Sequence, residues 1–143
     1  MGEVDVLTGS APPELSWVIK VVDGAEFSTM LHVFRGEELL AGSGFMAPRL
    51  AEGSVFDEWR GQSDDLPFFV MARTEPTVDR VVATTDRGAE VVLSLSPVIE
   101  AFGMRFGASA LPAGERPWTI RAEVAGEIAR VLPQPVRFRP GLD

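Results

Sequence analysis

Apolar and polar positions alternate through most of this chain, and the alternation is clearest over residues 68–95. An apolar run over 68–73 is broken by Thr74-Glu75-Pro76-Thr77, where the proline removes a backbone donor and turns the chain. Two further alternating runs, 80–84 and 89–95, flank Thr85-Asp86-Arg87-Gly88. A period of two places successive side chains on opposite faces of a strand, and Gly88 supplies the left-handed conformation that closes a short hairpin.

The same pattern recurs on both sides of this segment. Residues 16–22 and 25–34 predict a hairpin about Asp23-Gly24, with Phe27, Thr29, Leu31 and Val33 on one face of the second strand. Residues 37–42 pair back as a third strand, although Glu-Glu-Leu-Leu-Ala also suits a helical turn. Residues 104–108 read as a strand, and 118–124 with 127–132 as a final hairpin about Gly126. Roughly seven to nine strands with turns every 8–12 residues predict an all-β fold, an antiparallel β-sandwich of immunoglobulin-like kind. Residues 42–67, punctuated by Gly44, Pro48, Gly53 and Gly61, predict one long irregular loop with a short helix around 57–60. The Pro-rich stretch ending at Pro13 predicts a flexible leader over 1–14, and the prolines after Leu132 an extended tail over 133–143. One domain over 15–132 suits a chain of 143 residues.

Composition removes several chemistries. The chain has no cysteine, which excludes disulfides, thiolate metal sites and cysteine nucleophiles. A net charge of −8 argues against a nucleic-acid backbone as partner, because such binding needs clustered Lys and Arg. The acidic start Met1-Gly2-Glu3-Val4-Asp5 lacks the features of a signal peptide, and no apolar run reaches the roughly 18 residues of a membrane span. A cytoplasmic protein with no membrane partner is expected.

His32 is the lone histidine, so any Ser-His-Asp triad would have to be built on it, and its mid-strand position suits a half-buried packing role better. No phosphate-binding glycine loop, Gly-x-Ser-x-Gly elbow or His-Glu-x-x-His motif is present. The acid pairs Glu37-Glu38, Asp57-Glu58 and Asp64-Asp65 match no calcium loop and read as solvated charge, so neither a metal nor a cofactor is expected. Phe56, Trp59 and Arg60 fall in the glycine-punctuated stretch, and an aromatic beside an arginine has the composition of a protein-binding hot spot. The alternative for Trp59 is burial at one end of the sandwich.

Residues 71–91, with a strand, a Pro turn and a valine-rich Asp-x-Gly hairpin in order, resemble sandwich-like proteins of actinobacteria. The resemblance covers the C-terminal half and implies a fold and a source, with no functional residue carried over. A non-enzymatic protein-interaction or accessory module follows as the expected function, with a protein partner or self-association as a homodimer. The alternative is a small-ligand-binding or hydrolytic sandwich using a pocket near His32.

Overall fold

Alternation becomes strand wherever the structure, a computed structural model, describes the chain: residues 2–23, 28–45, 50, 53–63 and 65–132. Twelve strands follow in order: β1 (Gly2–Ala11), β2 (Leu15–Asp23), β3 (Ser28–Arg35), β4 (Glu38–Phe45), β5 (Phe56–Gly61), β6 (Phe69–Thr74), β7 (Arg80–Thr85), β8 (Glu90–Val92), β9 (Ser94–Leu95), β10 (Arg105–Ala110), β11 (Pro117–Val124) and β12 (Glu127–Leu132). No helix occurs among the described residues. The strands form three antiparallel sheets, ordered β1-β2-β3-β4, β5-β6-β10-β9 and β12-β11-β7-β8.

The sheets stack in three layers around two apolar cores. Leu15, Trp17, Ile19, Leu31 and Val33 of the first sheet meet Phe69, Met71, Phe106 and Ala108 of the middle one. The opposite face of the middle sheet, through Phe56, Val70 and Ala72, meets Val81, Ala83, Ile120 and Ala122 of the third. This explains why β6 is buried at every position while β3 buries alternate residues from Thr29 to Val33. A strand covered on both faces reads as a continuous apolar run, and one covered on a single face reads as alternation.

The all-β sandwich expectation is met, with three expectations corrected. Most of the stretch expected as a flexible leader over 1–14 is strand: β1 pairs with β2 from Gly2↔Asp23 to Ala11↔Leu15, and Pro12-Pro13 makes the turn through a cis peptide bond. The helix expected around 57–60 is β5, paired with β6 from Phe56↔Thr74 to Gly61↔Phe69. What fixes it as strand is its alternation: Phe56 enters one core while Asp57, facing the other way, makes a bidentate pair with the buried Arg73 across the register. The long loop expected over 42–67 is shortened at both ends, because β4 runs to Phe45 and β5 begins at Phe56. The hairpins about Gly88 and Gly126 form as expected, with both glycines at positive φ. The turn at Gly24 and the tail over 133–143 lie outside the described residues.

Candidate functional site

Strand direction gathers five connections at one end of the stack: 12–14 in the first sheet, 36–37 beside it, 62–68 in the middle, and 86–89 and 111–116 toward the third. The rim on the third-sheet side is tied together. Thr85 donates from Oγ1 to the Glu115 carboxylate and accepts from the Ala89 backbone N–H, while Asp86 and Arg116 exchange backbone and side-chain bonds at 2.9 and 3.0 Å. At the centre, Gln62 donates from Nε2 to the Leu66 carbonyl at 2.9 Å and the Leu66 N–H donates to Ser63, which folds this loop back on itself. The buried Leu66 side chain is thereby held inward from an otherwise polar loop.

Three depressions meet around Leu66. One, of about 560 Å³, is lined by Pro12, Pro13, Pro67, Pro112, Leu111 and Ala113, with Gln62 and Asp65 as polar groups. A second, of about 300 Å³, lies between the first and middle sheets among Leu31, Val33, Ala41, Trp59 and Phe69, with Ser43, Gln62 and Ser63 at its polar side. A smaller one of about 190 Å³ is lined by Arg35, Leu40, Ser63, Asp65 and Leu66. Prolines and a self-bonded loop lose little freedom when something binds them, so this end is preorganised for contact.

The residues singled out in the sequence separate here. Phe56 is buried in the core between the middle and third sheets and presents nothing to a partner. Trp59 is half-buried, packs against the other core and lies over Gly61, whose added Cβ would come within 2.4 Å of the indole. Arg60 is half-buried: its Nε bonds Glu58 at 3.0 Å, and its two terminal nitrogens reach the carbonyls of Pro117, Trp118 and Leu132. Trp59 and Arg60 therefore border the 300 Å³ cavity while holding sheets together. Ser43, Gln62, Leu66, Ala113 and the prolines complete the site, and only Leu66, an apolar residue inside a polar loop, carried a sequence signal for it.

His32 lines none of these depressions. Its ring sits on the outer face of the first sheet, across from Gly42 and edge-on to Phe34 with centroids 6.3 Å apart. Of the acid pairs, Asp57 and Glu58 are taken by Arg73 and Arg60, Glu37 and Glu38 are exposed, and Asp64 lies outside the described residues. No group of three or more His, Asp or Glu converges to hold a metal ion among the described residues. No helix is long and apolar enough to cross a membrane among them either. No known family, curated protein or solved structure matches the chain.

Proposed function

We propose that the protein is a non-enzymatic interaction module that holds an extended, basic segment of a partner protein at its loop end. The observation that carries this reading is the proline-lined depression of about 560 Å³, whose apolar floor of Leu66, Leu111 and Ala110 is rimmed by the acidic Asp65. Glu14, exposed in the adjoining turn, adds a second negative charge. A chain of net charge −8 favours a partner carrying Lys or Arg between its apolar anchors. Gathering the connections of stacked sheets at one end is also how immunoglobulin-like sandwiches present a binding surface. The hydrolytic alternative needs His32 beside an acid in a cleft, and the ring against Gly42 and Phe34 gives it no support.

A displayed peptide library selected on the purified protein tests the reading. Enriched peptides should alternate apolar residues with Lys or Arg, and should lose binding to Ala113→Trp, which fills the depression, and to Asp65→Lys. Both positions are exposed, so the variants keep the fold, which circular dichroism checks. Peptides that bind both variants as well as the parent, or a selection that enriches none, would sink the proposal.

A further inference from the structure

Among the described residues β4 and β5 are edge strands of the first and middle sheets, and they lie beside each other across the gap between the two layers. Toward that gap β4 turns Ala41, paired with Val33, and Ser43, paired with Leu31, while β5 turns Gly61, paired with Phe69. Stacked sheets stand about 10 Å apart, a distance that large side chains from both faces normally fill. Three small residues at a shared edge leave it unfilled, and the 300 Å³ cavity is the result, floored by Leu31, Val33 and Phe69.

The indole of Trp59 forms one wall. It rests over Gly61, where an added Cβ would come within 2.4 Å of the six-membered ring. The φ of Gly61 is not in the left-handed region, so the backbone makes no demand for glycine there. What the glycine provides is a seat for the indole. Ser43, Gln62 and Ser63 are exposed and stand at the polar side of the cavity. Gln62 spends an Nε2 hydrogen on the Leu66 carbonyl, which leaves Oε1 as an acceptor, and among the described residues neither serine hydroxyl is engaged. Arg60 is the charged residue of the lining, and its guanidinium is taken by Glu58 and by the carbonyls of Pro117, Trp118 and Leu132.

We infer that this cavity is a second binding site, separate from the proline-lined depression, that takes a small neutral aromatic molecule of about two fused rings. Size sets the ring count: an apolar cavity of about 150 Å³ binds benzene, and this one is about twice as large. Charge sets the neutrality, because an ion taken out of water needs an opposite charge, and Arg60 is already matched with Glu58. The rings lie against Trp59 and Phe69, and a hydroxyl or carbonyl on them faces Ser43 and Gln62. Apolar walls with a few placed polar groups are the usual make-up of a small-molecule site.

The probe that tests this is 2-naphthol, titrated into the ¹⁵N-labelled protein while the indole N–H signals of its three tryptophans are followed. Trp59→Phe and Trp118→Phe assign the signals. The Trp59 signal should shift and saturate with a Kd below about 1 mM, as expected for a ligand of this size. The analogue 2-naphthoate, with the same rings and a carboxylate, should bind at least about tenfold more weakly, a comparison that needs no variant. Ser43→Phe, at an exposed position on an edge strand, should fill the cavity and abolish the shift while circular dichroism stays unchanged. Ala113→Trp, which fills the neighbouring proline-lined depression, should leave the binding of 2-naphthol as it is. An unmoved Trp59 signal, or equal affinity for 2-naphthoate, would overturn the inference. So would binding lost in Ala113→Trp and kept in Ser43→Phe, which would put the molecule in the other depression.

Discussion

Among the described residues Arg73 is the largest side chain wholly withdrawn from solvent, with 1% exposure, and a carboxylate on the neighbouring strand offsets its charge. Burying a guanidinium is costly unless its donors are met, and the planar fork of Arg73 meets both oxygens of Asp57. Removing the acid alone takes away the carboxylate that offsets this charge between two sheets. Asp57→Ala should therefore lower stability by about 3 kcal/mol in urea denaturation, the low end for a buried pair because Asp57 is partly solvated. Asp57→Leu with Arg73→Met should recover most of that loss, and a double variant no more stable than Asp57→Ala would contradict this account. Nothing in the chain's pattern pointed to the pair, since Asp57 and Arg73 stand 16 positions apart and only the strand register brings them together. Read in isolation, Asp57-Glu58-Trp59-Arg60 has the composition of a helical turn or an exposed loop.

Elements whose alternation is set by one buried face were the most legible. β3 and the hairpins about Gly88 and Gly126 follow from period-two patterning and from glycines that accept positive φ. β1 was hidden because Glu3, Asp5, Thr8 and Ser10 interrupt its apolar residues and Gly9 has no side chain to show a face; the structure fills that place with the Trp17 indole, which an added Cβ would meet at 2.2 Å. β1 is also an edge strand, where selection for burial is weak. The outer face of the third sheet carries a different device, a charged chain from Arg80 through Glu123 and Arg121 to Glu90 across β7, β11 and β8. The Arg121 guanidinium, bonded to Glu90, holds that carboxyl below its ordinary value of 4.5. A group whose folded value is depressed contributes stability above its unfolded value and loses it as pH falls through the folded one. Glu90→Gln should therefore be less stable than the parent at neutral pH, with the difference vanishing well below pH 4.5. A difference that persists unchanged into acid would show that the bond to Arg121 is not what couples Glu90 to folding.

At the scale of the whole molecule, the middle sheet is the layer that, among the described residues, faces both cores. That third layer could not be counted from the sequence, because a strand buried on both faces, such as β6, advertises depth without saying what lies on each side. The same arrangement predicts how the protein comes apart. Phe106, fully buried on the first-sheet side and edge-on to Phe102, should cost about 3–5 kcal/mol on truncation to alanine. The loss should still appear as one transition, whether followed by the buried Trp17 or by backbone circular dichroism, because neither outer sheet keeps a core once the middle one goes. Two separated transitions would show that the first sheet holds together without the middle one.

Stacking order also bears on synthesis. The first sheet is a plain meander, complete once residue 45 has emerged, with every pairing made between neighbours in the chain. Its inner face stays bare until β6 and β10 arrive, and β10 ends at Ala110. At ribosomal speeds this leaves seconds in which Trp17, Ile19, Leu31 and Val33 face water on a nascent chain. The first third of the protein is thus made before the strands that cover its apolar face.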